Sequence, residues 1–371
     1  MNRRQFISGN LATTFSAAAL ATAVFPSRSA AQAGGGDLPK ITRPGGGLLK
    51  VGIIELDTSH ADSLAQAIKS VEGVELTAVT NRGLVYGRER TDKFVADHAV
   101  KKVCATPEEM APLVDVAFSI AVNWENHVAD AEPFIKAGKP VFIDKPVVGT
   151  EAAARRLEDL VTACRAPVFG GSTYRYAPNL AAFKADFQKR EDKVTLTVYG
   201  KINSHSRMDM LDLIYYGIHG TELMQELMGL GALQVTYADF YRKQHVIHVH
   251  YDDRPPVVLV LGWARNRNEA VLLTDRELVS FVPEEGNPYA EIFARMAAAI
   301  ETRKADRPIT EPLEACRILI AAAKSRTLGR RVALAELDKN DGFDGRQFGL
   351  EYARFRNLSR EEQQGWRENE R

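Results

Sequence analysis

Cysteine is scarce in this chain. Only Cys104, Cys164 and Cys316 occur, odd in number and far apart. That excludes a disulfide framework and leaves no paired spacing for a zinc site. Charge of one sign is not in excess either, since Lys plus Arg and Asp plus Glu both number 48. Such a balance supplies no basic surface for nucleic acid or an acidic membrane. Long hydrophobic runs are also missing. The most apolar stretch, residues 11–24, is Ala-rich and falls short of the ~18–20 residues that span a bilayer. No stable membrane anchor is expected.

What stands at the N-terminus is a targeting signal. Asn2-Arg3-Arg4-Gln5-Phe6-Ile7 is a twin-arginine pattern ahead of that apolar stretch, and Ala31-Gln32-Ala33 offers small residues to a signal peptidase. Residues 1–33 read as a signal peptide recognised by the twin-arginine translocase, so the mature protein is expected to be periplasmic or secreted. Residues 34–48, rich in Gly and Pro, read as a flexible lead-in.

Strand and helix patterns then alternate. Residues 50–54 are a short apolar run, and 61–71 form an amphipathic helix with Leu64, Ala67, Ile68 and Val71 on one face. Further strands over 74–80, 103–105, 115–122, 140–144 and 166–170, separated by helices, predict a Rossmann-type, doubly wound parallel sheet over 49–170. Residues 171–334 change character. Short successive strands over 193–203, 235–241, 245–251, 256–263 and 270–274 read as an α+β domain with a mainly antiparallel open sheet. A helix over 210–228 interrupts them, and helices over 289–303 and 311–329 close the domain. Residues 335–371 read as a polar tail, helical from Ser359.

The first strand and helix are joined by Glu55-Leu56-Asp57-Thr58-Ser59-His60. In a dinucleotide-binding unit this turn carries three glycines, for the tight turn, for close approach to the pyrophosphate and for helix packing. Here two carboxylates and an imidazole replace them. Thr58 and Ser59 still offer hydroxyls, and the helix N-terminus its amides. Asn81-Arg82 follows the second strand, where a ribose is read, and an arginine there accommodates a 2′-phosphate, favouring NADP. Asp57, His60, His127, Asp212, His219 and Glu222 are also residue types that bind a divalent metal. A metal-assisted lyase, isomerase or hydrolase acting on sugars therefore stands as an alternative, and a non-catalytic sugar-binding protein as another.

Several stretches occur in a telling order: Asp115-Val116-Ala117-Phe118 through Glu125-Asn126-His127, Ala137-Gly138-Lys139-Pro140-Val141-Phe142-Ile143-Asp144-Lys145-Pro146, Tyr174-Arg175-Tyr176-Ala177-Pro178, Gly217-Ile218-His219, and 311–332. Together they resemble the glucose-fructose oxidoreductase / inositol dehydrogenase / MocA family over nearly all of 49–334. The resemblance implies hydride transfer between NAD or NADP and a hydroxyl or keto group of a sugar or sugar derivative. It also implies a homo-oligomer formed through the C-terminal sheet. Lys145 falls on the family's lysine near the nicotinamide, and His219 on its catalytic histidine. Ile54, Asp57, Thr58, Ser59, His60, Asn81, Arg82, Val122, His127 and Asp144 fall along the cofactor, and Tyr174 and Arg175 on the substrate. Where the family usually places an Asp, four residues before the histidine, this chain has Tyr215, and the nearest upstream acid is Asp212. Seven residues make about two helical turns, so Asp212, Tyr215 and His219 are expected on one face. All should converge with Lys145, Tyr174 and Arg175 on one pocket.

Replacing both leader arginines, Arg3→Lys with Arg4→Lys, is expected to strand precursor in the cytoplasm. Cell fractionation and immunoblotting check this, and unchanged periplasmic delivery of the double variant refutes the signal assignment.

Overall fold

A computed structural model describes residues 40–203, 205–206, 208–241, 243–262, 267–284 and 286–368. The expected signal peptide, 1–33, and the first part of the lead-in lie outside the described residues. The first half contains β1 (Leu49–Ile54), α1 (Ser59–Lys69), β2 (Val74–Thr80), α2 (Arg88–His98), β3 (Lys102–Val103) and α3 (Pro107–Met110). It continues with β4 (Val116–Ser119), α4 (His127–Lys136), β5 (Val141–Ile143), α5 (Glu151–Cys164) and β6 (Val168–Gly170). The six strands form one parallel sheet in the order β3-β2-β1-β4-β5-β6. Short apolar runs explain it: Val51, Ile53 and Ile54 are wholly buried, because helices cover both faces of the sheet. The strand order reverses between β1 and β4. In such sheets a ligand crevice opens beyond the carboxyl ends of the strands at that point.

The second half runs α6 (Leu180–Lys189), β7 (Lys193–Lys201), α7 (Asp209–Asp212), a π-helical turn (Leu213–Gly217) and α8 (Ile218–Met228). Then come β8 (Gln234–Tyr241), β9 (Gln244–His250), β10 (Val257–Gly262), β11 (Glu269–Thr274), β12 (Leu278–Phe281), α9 (Pro288–Thr302), α10 (Thr310–Leu328) and β13 (Val332–Ala333). Its sheet, ordered β12-β11-β7-β10-β9-β8-β13, is antiparallel except where β7 meets β10. The α+β expectation holds. Helix α9 packs back on the first sheet, where Phe293 meets Phe118 edge-on. Among the described residues no helix is long and apolar enough to cross a membrane.

The reading of 335–371 as a mere polar tail is corrected. The segment contains α11 (Gly345–Arg356) and α12 (Arg360–Glu368). Phe348, Tyr352 and Phe355 are buried along one face of α11, at the i, i+4, i+7 spacing of an apolar helical stripe. Charged residues on the opposite face make the segment polar on average and hide that stripe. The helix from 360 onward agrees with expectation.

Gly52, in the middle of β1, has no room for a side chain. A Cβ there collides with Met110 Sδ and crowds Val114. Gly52→Ala should therefore cost about 1–3 kcal/mol of stability by overpacking. A urea midpoint identical to wild type would contradict the tight β1–α3 packing.

Candidate active site

Strand β5 delivers Asp144 and Lys145 to the carboxyl end of the sheet. Both are buried. Lys145 Nζ lies 3.4 Å from the Tyr215 ring centroid and 5.2 Å from that of Tyr216, and donates to the Tyr215 carbonyl at 3.3 Å. Burial lowers its pKa to about 8, against the pull of the Asp144 and Glu222 carboxylates. Asp144 accepts a 2.6 Å hydrogen bond from His60 Nδ1. Burial alone raises its carboxyl, but His60 and Lys145 outweigh that and hold it at about 2.

His219, in the first turn of α8, has its Nδ1 2.6 Å from Ser172 Oγ. Ser172 Oγ accepts from the Tyr174 amide at 3.2 Å, which leaves its own proton for Nδ1. Burial, then the charges of Lys145 and His60, keep the imidazole well below its ordinary pKa. A neutral ring that accepts at Nδ1 carries its proton on Nε2. The Tyr174 ring stands edge-on to His219 at 5.3 Å. Lys145, Tyr215, His219 and Tyr174 thus belong to one neighbourhood. Ser172 was not anticipated, although it directly follows the Gly170-Gly171 pair at the end of β6 and shares the stretch that holds Tyr174. Gly171 is needed there: it adopts φ 98, and a Cβ on it collides with the Glu222 carboxylate.

Other expected site residues face elsewhere. Tyr215 is buried, its ring packed against Lys145, Phe348 and Trp124. Asp212 does not share the His219 face, because the π-helical turn between them shifts the helical phase. Its Oδ1 instead accepts from the amides of His205 and Ser206 at 3.2 Å. Arg175 is no substrate ligand. It is buried in ion pairs with Glu222 and Glu226 and donates to Gln225 at 3.0 Å.

The alternative metal set is likewise scattered. His60 pairs with Asp144, His219 with Ser172, and Glu222 with Arg175 and the Ser172 amide. The ring nitrogens of His127 face the carbonyls of Ala121 and Pro146, so this residue is structural rather than a cofactor or metal contact. Among the described residues, no group of three such side chains is placed to hold a metal ion.

The turn after β1 keeps the backbone of a glycine turn without the glycine. Glu55 adopts φ 76. Its buried carboxylate accepts from Arg82 Nε at 2.7 Å and from the Arg82 amide at 3.0 Å, while Arg82 Nη2 reaches Asp130 at 2.6 Å. Arg82 is therefore committed to two carboxylates, and its assignment to a 2′-phosphate is corrected. Asn81 is taken up by Tyr86 and Gly83 within its own loop and by Thr91 of α2. Asp57 accepts from the Val122 amide at 3.2 Å, Thr58 caps α1 by accepting from the His60 amide, Ser59 is exposed, and Ile54 lies in the core. Burial raises the Glu55 carboxyl to about 7 and pushes Asp57 and Asp130 up as well. Helix α11 lies against the loops after β2 and β4, with Phe348 against Trp124 at 5.2 Å. A dinucleotide does not fit this arrangement. Its phosphates would meet three buried acids sharing one guanidinium, and aromatic side chains already fill the adjoining space.

The other side of the His60–Asp144 pair is open. A cleft of ≈ 390 Å³ is lined by His60, Ser63, Gln66, Thr173, Asn287 and Tyr289. A second of ≈ 290 Å³, bordered by Tyr174 and Glu284, adjoins it through Thr173, Gly286 and Pro288. The wall made by Gly286, Asn287 and the start of α9 was not anticipated: tertiary packing brings it to the site.

No family model matches the chain, and no curated protein matches it in sequence. Solved structures do. Myo-inositol dehydrogenase from Lactobacillus casei, in complex with NAD(H) and myo-inositol, matches with a TM-score of 0.66 at 15% identity, over 77% of this chain and 96% of that one. Myo-inositol 2-dehydrogenase from Lactobacillus plantarum gives 0.66 at 15% identity, over 77% and 99%. Scyllo-inositol dehydrogenase from Lactobacillus casei gives 0.65 at 14% identity, over 80% and 100%. At such identities the shared property is the two-domain fold.

Glu55 supplies a pH test. Its pKa is about 7 when folded, above the ordinary 4.5, so the folded state holds a proton that the unfolded chain releases. The resulting stability is complete below about 4.5 and is lost as pH rises through about 7. Wild type should lose on the order of 1–3 kcal/mol relative to Glu55→Gln between pH 5 and 8. Urea unfolding at both pH values measures it, and parallel curves for the two proteins would exclude a buried, protonatable Glu55.

Proposed function

We propose that this chain, built on the fold of inositol and sugar dehydrogenases, is an oxidoreductase acting on a hydroxyl or keto group of a sugar or sugar derivative. The observation that carries the reading is the conjunction of Lys145 and His219. One is a buried lysine whose proton leaves near pH 8; the other is a neutral imidazole held by Ser172. As a free amine, Lys145 takes the proton of a substrate hydroxyl. The Tyr215 ring face and the Asp144 carboxylate stabilise the ammonium that forms. His219 offers Nε2–H to a neighbouring substrate oxygen. The hydroxyls and amides of the adjoining cleft suit a polyhydroxylated ligand.

NAD or NADP is the cofactor this fold implies, and a bound nicotinamide would supply the hydride chemistry. Because the crevice residues do not fit it as they stand, no step here depends on it. The same observation favours one second reading: proton transfer on such substrates without any nucleotide. Export through the twin-arginine route to the periplasm or beyond belongs to the proposal, on the strength of the leader sequence. So does a homo-oligomer through the second sheet, supported by exposed Val194, Leu273 and Leu278 on its strands.

The assay is reduction of NAD⁺ and NADP⁺ with myo-inositol and related polyols, with native mass spectrometry reporting any bound nucleotide. The plot of kcat/KM against pH should rise and level off above about 8, as Lys145 becomes the free base. Lys145→Met should lose at least ~100-fold. A flat profile from pH 7 to 9, or a fully active Lys145→Met, would count against this role.

A further inference from the structure

We propose that the open cleft enolises a carbonyl-bearing sugar or cyclic polyol without any nucleotide: Lys145 takes a carbon-bound proton, and His60, backed by Asp144, gives one to the carbonyl oxygen. This deepens the nucleotide-free reading above and rests on the base role given there to Lys145. It starts from a disagreement. The fold implies a dinucleotide, whereas the turn after β1 presents Glu55, Asp57 and Asp130 where its phosphates belong. Without a hydride acceptor, removing a hydroxyl proton achieves nothing lasting. A base does net chemistry only at carbon, and a C–H beside a carbonyl is acidic enough when an acid meets the charge that develops on the oxygen.

His60 is placed to be that acid. Its Nδ1 lies 2.6 Å from Asp144 Oδ2, and Asp144 stays ionised, so Nδ1 carries the proton of this bond. Nε2 is left to exchange a proton with the cleft. Asp144 is buried while the His60 side chain is 27% exposed. In such a pair the carboxylate fixes the tautomer of the imidazole and stabilises its cation.

The surroundings form one polar space. Ser63 and Gln66, one and two turns beyond His60 along α1, line the same cleft. Asn287, opposite, donates through Nδ2 to Ser70 Oγ at 3.0 Å, which ties the start of α9 to the end of α1. Thr173 belongs both to this cleft and to the one beside Tyr174, the ring that stands edge-on to His219. The charges of Lys145 and His60 bear on both Asp144 and His219. Three proton-transfer groups are thus gathered around one buried carboxylate.

The step balances without a co-reactant. Lys145 Nζ, as the free amine, takes the proton, and the C–H electron pair becomes the C=C bond. The carbonyl π pair moves to oxygen, which takes the proton of His60 Nε2. An enol, an ammonium at Lys145 and a neutral His60 result, with Nδ1–H still on Asp144. One positive charge has passed from one neighbour of Asp144 to the other, so the same carboxylate stabilises it before and after. His219 holds an adjacent hydroxyl through Nε2–H. Return of a proton to the same carbon or the next gives an epimer or an isomer.

Deuterium uptake tests this. 2-Keto-myo-inositol and D-fructose are incubated in D2O with purified protein, and proton NMR follows the C–H signals beside the carbonyl against a protein-free control. Native mass spectrometry of the same sample reports bound nucleotide. Nucleotide-free wild type should exchange these protons, and His60→Gln and Lys145→Met should each lose at least ~100-fold. Added imidazole should restore part of the rate to His60→Gly and none to Lys145→Met, which a merely structural role for His60 does not predict. Circular dichroism and thermal melts establish folding.

Equal exchange in wild type and folded His60 variants overturns the proposal. So does no exchange with either probe, and the NAD⁺ and NADP⁺ assays then judge the oxidoreductase reading alone. Stoichiometric nucleotide in the purified protein overturns the proposal and favours the oxidoreductase. If neither His60 variant folds, diethyl pyrocarbonate on wild type decides. Exchange should fall in step with His60 modification, mapped by peptide mass spectrometry, and return with hydroxylamine. Full exchange with His60 modified, or a His60 the reagent does not reach, overturns the proposal.

Discussion

Immediately after β1 the backbone must reverse, and Glu55 takes φ 76 to do so. For a residue other than glycine that conformation costs roughly 1–2 kcal/mol. It also places a carboxylate in the interior. The arrangement persists because Arg82, arriving from the end of β2, neutralises it through its side chain and holds it through its amide. That single ion pair sets the terms for the crest of the first sheet. Arg82, itself half-exposed, is shared with Asp130, and Asp57 takes the Val122 amide, so the buried acids of the crevice are held from its rim. Buried polar groups of this kind are costly unless paired, and Arg82 supplies the pairing.

A buried guanidinium organises the other side. Arg175 is tied to Glu222 and Glu226, and Glu222 in turn accepts from the Ser172 amide at 2.8 Å. Ser172 is thereby fixed under His219. The residue expected to touch substrate is instead the support behind the imidazole. Asp144 plays a comparable part between His60 and Lys145, lowering the energy of whichever cation faces it. The two candidate proton-transfer groups thus owe their lowered pKa first to burial, while buried polar partners fix their positions, and the cleft walls contribute polarity and access.

These two centres make the site asymmetric. Toward the strand-order reversal it is closed by aromatic packing and by acids that replace glycine. Toward α1 and the start of α9 it is open, polar and lined by His60. In the nucleotide-binding version of this turn, the third glycine serves helix packing. Here that position carries an imidazole joined to the residue beside Lys145, so a position reserved for backbone contact has become part of the side-chain chemistry.

The fold was legible in the sequence because its signals are local. Period-two and 3.6-residue patterns, buried runs such as 51–54, and turns between them specify alternating strands and helices wherever the chain goes. Lys145, His219 and Tyr174 were legible as neighbours through the order of their motifs. Asp212 and Arg175 were not placed correctly, because a π-helical turn changes phase without changing composition, and because an arginine's partner depends on which acids the fold brings near it. The tail held a readable stripe in Phe348, Tyr352 and Phe355, but nothing in it named the surface to be covered. That was decided only by tertiary structure, where Gly345 meets Glu125 across 220 residues of sequence and His60 meets Asp144 across 84. By itself the sequence determined which segments become strands and helices and which residue types stand at the turn. Packing decided what closes the crevice, because the contacts of α11 with the loops after β2 and β4 join distant segments, and no local pattern records that.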